Sequence, residues 1–293
     1  MKRHYGGQAL IEGVLIRGRA GVFAAVRAPD GTVITREERL VSPSASFWRK
    51  VPVVRGVLAL RDTLRVGMKM MMFSADVAAG GTGESLKPMS KRAVMGGAFA
   101  AATLFAAIPN LLARRLRRQP EGEPERGGPV AHLLEGGVRI SILLGYLGII
   151  GRLKEVQRVF QYHGAEHKSI SALEADVELA PASVQLFDTA HPRCGTAFLL
   201  QSMLTSTLVY GLVGKRLPLG RVGTRIALVP LVAGISFEVL QFNARHLDSP
   251  VVRLLNAPGM VLQKLTTRQP TDEQVEVALS ALRGAMAMDG DDD

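Results

Sequence analysis

The sequence predicts a mainly α-helical, polytopic membrane protein with about four transmembrane helices and a small N-terminal antiparallel β unit. Hydrophobic residues make up 47% of the 293 residues although aromatic residues make up only 5%, and the mean hydropathy is positive at +0.17. Several apolar segments are also long enough to cross a bilayer, which takes about 20 helical residues. Polar segments with clustered basic residues separate them.

Residues 1–45 are predicted to form the β unit. Residues 9–17 are strand-like, and residues 21–28 are expected to pair with residues 32–35 across a Pro-Asp-Gly turn. Glycines are dense between residues 6 and 18, and they either let the backbone approach a ligand or mark turns and bulges.

Residues 46–92 are predicted to form amphipathic helices, over residues 46–73, and then a glycine-rich linker. A membrane helical domain is expected over residues 93–245, with a polar segment inserted at about 152–193. Its four candidate spans are residues 93–113, 133–151, 194–214 and 226–244. The first and third contain no charged residue, whereas the second contains Glu135 and Arg139 and the fourth contains Glu238. A buried helical core of a soluble protein could imitate the second and fourth.

The C-terminal tail, residues 246–293, is predicted to end in an amphipathic helix. Thr271 and Gln274 form a capping-box pattern at its start. Apolar residues then recur at helical spacing, at Val275, Leu279 and Leu282. The acidic end from Asp289 onward is expected to be frayed.

The inserted segment contains a candidate metal motif, His163-Gly164-Ala165-Glu166-His167. It reads H-x-x-E-H, the reverse of the zinc-peptidase pattern. On a helix His163 and His167 share one face and can bind one divalent ion, while Glu166 can act as a base on water. The alternative is a helix surface that carries two polar histidines and a solvated glutamate.

Four spans would bring further candidate ligands to the same side of the membrane. His191 and Cys194 precede the third span at a spacing seen in zinc sites, and Glu174 shares a helical face with His167. Glu238, inside the fourth span, is costly to bury without a function. The alternatives are a buried apolar role for Cys194, a solvated Glu174, and pairing of Glu238 with one of three arginines, at positions 225, 245 and 193.

Charge and polar groups suggest the class of partner. Gln8, Glu12 and Arg17 are predicted to orient a substrate, and Arg193 to bind its anionic group. The formal charge of +10 favours anionic partners. Because the basic residues lie beside apolar runs without interleaved aromatics, lipid headgroups or a lipid-linked substrate are favoured over nucleic acid. The sequence predicts no oligomeric state.

Five blocks of the sequence are similar to one bacterial family. They are residues 6–18, 162–168, 191–196, 234–238 and 258–270, so they run through nearly the whole chain. On these residues the chain resembles the DUF1385 family of YqhQ-like proteins, whose members are described as predicted metal-dependent enzymes. The resemblance implies a metal at His163 and His167 and a membrane setting, but no substrate. Departures from the family pattern at Leu15, Ile16, Phe237 and Gln269 touch no proposed ligand.

The sequence therefore predicts a membrane-embedded, metal-dependent hydrolase. A divalent ion, Zn²⁺, would be bound by His163 and His167 with a third ligand from His191, Cys194, Glu174 or Glu238, for attack on an ester, amide or phosphoester. The alternative is a non-enzymatic membrane scaffold or transport protein with a structural metal or polar site. A nucleic-acid or ribosome binder rests on net charge alone and ranks last.

The expected location is the cell (inner) membrane, crossed several times. Residues 1–7 lack the apolar region of a signal peptide, and one cysteine excludes an internal disulfide. Both features favour a site that faces the cytoplasm. Arginine-rich loops on the opposite side point the other way under the positive-inside rule.

Overall fold

The computed structural model describes residues 5–40, 47–83, 96, 129–213 and 220–290. The chain is mainly helical and carries an N-terminal antiparallel sheet of four strands in the order β1-β2-β3-β4. The strands are β1 (Gly6–Leu10), β2 (Gly13–Arg17), β3 (Gly21–Arg27) and β4 (Val33–Arg39). The predicted pairing of β3 with β4 is confirmed.

The single strand predicted over residues 9–17 is wrong, because these residues contain the end of β1, a turn at residues 11–12 and the whole of β2. β1 pairs with β2 in register from Gly6 opposite Arg17 to Leu10 opposite Gly13. Glu12 makes the turn with a φ of 54°. The glycines of β1 have weak strand propensity, so β1 is stabilised by its pairing with β2. For the same reason the sequence pattern did not predict β1 as a separate strand.

In the described residues eight α-helices follow the sheet. A 3₁₀ turn, Phe47–Arg49, precedes them. They are α1 (Val54–Ala78), α2 (Pro129–Ile150), α3 (Lys154–Glu174), α4 (Pro181–Val184), α5 (Thr196–Val213), α6 (Gly220–Arg245), α7 (Pro250–Thr266) and α8 (Asp272–Asp289). α1 continues five residues beyond its predicted end, because Ser74 and Val77 are buried. The sequence predicts a basic loop over residues 215–225, between the third and fourth spans, but residues 220–225 are the start of α6.

The sheet is packed on both faces, because successive side chains of a strand point to opposite sides. One face packs on α1, where Leu15 and Ala24 meet Met70 and Phe73. The other face packs on α3 and α8. The sheet thus forms the middle layer of a three-layer unit that fixes α3.

Helix α8 starts as predicted and ends differently. Its capping box is present, with both the Thr271 and the Gln274 hydrogen bonds made. Asp289 is not frayed: its carboxylate accepts backbone N–H groups of Arg19 at 2.8 Å and Ala20 at 2.6 Å. The last turn of α8 is therefore fixed to the turn between β2 and β3.

One helical segment of the described chain, Ala227–Arg245, is long and apolar enough to cross a membrane. Gly136–Ile150 and Lys154–Glu174 meet the same criterion only as a pair, and a bend of 105° separates them. Residues 93–113, apart from Gly96, lie outside the described residues, as do the side chains of Glu135 and Arg139. The third predicted span corresponds to α5.

Candidate metal centre

The H-x-x-E-H motif lies in a helix, α3, so His163 and His167 share one face, which their spacing predicts for any helix. Gly164, inside the motif, lets the chain that leaves α7 cross this helix closely. A Cβ at position 164 would lie 2.2 Å from the backbone oxygen of Arg268. This close crossing brings the end of α7 to the histidines.

Both histidines of the motif are oriented by backbone carbonyls. Nδ1 of His163 lies 2.8 Å from the Thr266 oxygen, and Nδ1 of His167 lies 2.6 Å from the Thr189 oxygen. A carbonyl oxygen can only accept, so each Nδ1 carries a proton, and in the neutral ring each Nε2 presents a lone pair. A carbonyl partner of this kind typically orients a metal-ligating histidine.

Cys194 completes a group of three possible ligands. One ligand atom from each of His163, His167 and Cys194 lies within 4.8 Å of the other two, and His163 Nε2 is 3.2 Å from the Cys194 sulfur. Ligand atoms of a tetrahedral zinc site are roughly 3.3–3.8 Å apart, given bonds of about 2.0–2.3 Å. Nε2 of His167 is buried and has no hydrogen-bond partner among the described residues. The His163–Cys194 distance is thus close to the spacing of a zinc site, and His167 adds an unused lone pair within 4.8 Å of both.

His191 and Glu174, two candidates for the third ligand, are engaged with each other instead. His191 Nε2 lies 3.3 Å from a Glu174 oxygen, and its Nδ1 accepts the N–H of Arg193 at 3.3 Å. Arg193 also forms an ion pair with Glu174. The His191 ring lies beside that of His167, with centroids 5.8 Å apart. The structure places both residues next to the group of three and outside it.

Glu238 is not brought to the group. Its carboxylate accepts hydrogen bonds from the Arg55 guanidinium, at 2.7 Å from Nε, and from the Val53 N–H at 3.2 Å. The prediction that Glu238 is a metal ligand is therefore corrected: its carboxylate is bonded to α1 instead. Its hydrogen-bond partner is Arg55, which α1 supplies because it lies alongside α6, and not Arg193 or Arg245. The side chain of Arg225, the third arginine considered from the sequence, lies outside the described residues.

Two polar residues of the site were missed by the sequence analysis. Gln263 is fully buried in α7, and its side-chain amide makes two hydrogen bonds with the backbone of His191. It accepts the His191 N–H at 2.8 Å and donates to the His191 carbonyl at 3.0 Å. Lys168 is 2% exposed and donates to the carbonyls of Gln185 and Phe187. Both hold the segment that carries Thr189 and His191. The sequence did contain one sign of a role for Gln263, because this glutamine directly follows an apolar run in α7.

Glu166 lies beside the histidines and is almost fully buried, at 4% exposure. One carboxylate oxygen is 3.5 Å from His167 Nε2. Burial raises the pKa of the Glu166 carboxyl, while the nearby His163 and His191 and the Gly7 N–H act in the opposite direction. Burial also lowers the pKa of His167, which favours the neutral ring that a metal needs.

Gly7 packs directly against Glu166, and this contact can be tested. A Cβ at position 7 would lie 2.6 Å from the Glu166 Cγ, whereas a Cβ at Gly6 would meet nothing within 4 Å. We expect Gly7→Ala to lower the melting temperature by roughly 3–10 °C, the effect of overpacking by 1–3 kcal/mol. Gly6→Ala should melt like the wild type in circular dichroism. Equal melting of the two variants would contradict this packing.

A cavity of about 270 Å³ opens beside the group of three. Its lining includes Glu166, His191, Gln8 and Arg193, so two of the four predicted substrate-binding residues lie at the site. Arg17 lies in a neighbouring cavity.

Glu12, the remaining one, lines neither of these cavities. Its carboxylate pairs with Arg158, at 2.6 Å from Nε, and lies 3.4 Å from the Tyr162 hydroxyl. It joins the first hairpin to α3, and its role in substrate binding stays a prediction.

Comparisons with known proteins agree on one family. The profile of the family described as "Protein of unknown function (DUF1385)" matches residues 51–288. A relative from Bacillus subtilis (strain 168), "Uncharacterized protein YqhQ", is 32% identical over 295 residues, which cover 97% of this chain and 93% of the relative. No solved structure matches the chain. The chain belongs to the DUF1385 family.

Proposed function

We propose that this protein is a membrane-embedded, metal-dependent hydrolase whose divalent ion, Zn²⁺, is bound by His163, His167 and Cys194. The observation that carries the proposal is the arrangement of the two imidazoles. Each donates its Nδ1 proton to a backbone carbonyl and leaves Nε2 for a ligand next to the Cys194 sulfur. Two histidines and a cysteine suit zinc, which prefers nitrogen and sulfur ligands.

An open position favours catalysis over a structural role. Structural zinc sites have four protein ligands, whereas catalytic sites have three and leave one position for water or substrate. Among the described residues three come together, and the 270 Å³ cavity lies against them. A non-enzymatic scaffold with a closed site is less well supported by this geometry.

Glu166 is placed to move the proton. A divalent ion bound here would supply the Lewis acid that makes water nucleophilic at neutral pH. The Glu166 carboxylate, 3.5 Å from His167 Nε2, would accept the proton of the attacking water and return it to the leaving group. A carboxyl pKa raised by burial suits this exchange, because a general base works best near the operating pH.

We propose several membrane crossings, formed by residues 93–113 and by α2, α5 and α6. Only 28% of the Ala227–Arg245 window is buried inside the protein, whereas the core helix of a soluble protein is mostly buried. Exposed leucines also follow one another along α5, at Leu199, Leu204, Leu208 and Leu212. α3 is packed on the sheet and lies outside the membrane in this arrangement, on the side that we assign to the cytoplasm.

Metal content tests the proposal. Detergent-purified wild type should contain near-stoichiometric metal by elemental mass spectrometry, and His163→Ala/His167→Ala should contain none. Glu166→Gln should retain the metal and lose roughly 10²–10⁴-fold in hydrolysis of whichever ester, amide or phosphoester the wild type cleaves. Wild type without metal after supplementation, or a double variant that retains it, would contradict the proposal.

A further inference from the structure

A second cavity, of about 590 Å³, continues from the candidate metal centre. It shares six lining residues with the smaller cavity, among them Gln8, Arg193 and Gly195. Its other walls come from β2, from the last turns of α6, and from the middle of α1 at Thr63, Val66 and Gly67. The two cavities therefore adjoin, and together they extend from the end of α6 to the candidate metal ligands.

The lining of this outer cavity is cationic on one part and apolar on another. Three arginines line it, Arg17, Arg193 and Arg245, and the lining residues that the structure describes include no Asp or Glu. Arg17 is held across the cavity by its hydrogen bond to Thr63 Oγ1, at 3.0 Å. Apolar walls are provided by Leu15, Val22, Val66, Leu240 and Ala244.

The outer cavity lies at one end of the segment that can cross a membrane. Arg245 is the last residue of that segment, and arginine at a helix end is typical of the boundary between hydrocarbon and headgroups. Phe242, on the same last turns, is 56% exposed. A molecule with one apolar end could thus enter from the bilayer.

We propose that the outer cavity binds an anionic amphiphile, a lipid whose headgroup carries a phosphate, with the anion at Arg17 and Arg245 and its apolar part on the Leu240 side. Guanidinium groups bind phosphate through paired, charge-assisted hydrogen bonds. The apolar walls give the affinity that a free phosphate ion cannot obtain. The further idea that this lipid is the substrate of the metal site rests on the proposed function. The binding of the lipid to the cavity does not.

The test measures binding of dihexanoyl phosphatidate to full-length protein in an uncharged detergent, by isothermal titration calorimetry. Arg17→Gln and Arg245→Gln should each weaken binding roughly tenfold, the loss of one hydrogen bond to a charged group. Arg65→Gln is the matched control, because Arg65 is exposed on α1 and is not a lining residue. It should bind like the wild type.

Two comparisons complete the experiment. Dihexanoyl phosphatidylcholine and inorganic phosphate should each bind at least tenfold more weakly than phosphatidate. If inorganic phosphate bound as tightly as phosphatidate, the claim that the ligand is an amphiphile would be refuted. If both arginine variants bound phosphatidate with unchanged affinity, the claim that these arginines bind the anion would be refuted. Metal content is measured on the same preparations: arginine-dependent binding by a metal-free wild type would refute the proposed hydrolase and leave the lipid site standing.

Discussion

Removal of the metal with a chelator is expected to lower the temperature at which the helices melt by roughly ten degrees. An ion that binds only the folded state stabilises it by about 4 kcal/mol when present at a thousand times its dissociation constant. In a chain of this size each kcal/mol corresponds to about 2–4 °C. The unfolded chain binds the ion more weakly, because His163 and Cys194 are 31 residues apart in sequence and come together only on folding. Loss of helical circular dichroism on heating measures the effect.

Variants separate metal loss from general damage. His163→Ala/His167→Ala should melt at the same temperature with and without chelator, since it has no ion to lose. Glu166→Gln should respond as the wild type does, because Glu166 is outside the group of three ligands. Added Zn²⁺ should restore the wild-type melting temperature. A wild type that melts identically before and after chelation would count against a resident ion.

The helical part of the site could be predicted because its information is local. The spacing of His163 and His167 puts both on one face of any helix, and α3 is a helix. The third ligand could not be selected from the four candidates by local sequence patterns. The selection depends on where the loop before α5 places Cys194, and on the ion pair that Arg193 forms with Glu174. Metal binding itself stays a prediction.

Long-range pairing explains what the sequence could not predict. Glu238 bonds Arg55, 183 residues away, and Asp289 caps a turn 270 residues earlier. No periodicity carries such information, since each contact exists only after α1 and α8 have packed on their neighbours. Likewise β1 is a strand because β2 offers its hydrogen bonds. The sequence-based errors therefore fall where tertiary contacts override local preference.

Cys194→Ser is expected to remove the only thiolate from the proposed metal site. In Co²⁺-loaded wild type a sulfur-to-cobalt charge-transfer band should appear in the near ultraviolet, and the serine variant should lack it. Because the chain has one cysteine, the band can have no other thiolate source. Metal affinity should fall by at least roughly a hundredfold, since loss of an outer hydrogen-bond partner alone costs 10–100-fold.

Thr196→Val distinguishes the sulfur ligand from its surroundings. The Thr196 hydroxyl lies 3.1 Å from the Cys194 sulfur, so valine removes a hydrogen-bond partner and keeps the thiolate. We expect this variant to retain the charge-transfer band and to bind Co²⁺ roughly tenfold more weakly. If Co²⁺-loaded wild type lacked the band, the sulfur would not be a ligand. The ion would then need its third ligand from His191, whose Nε2 would have to leave Glu174.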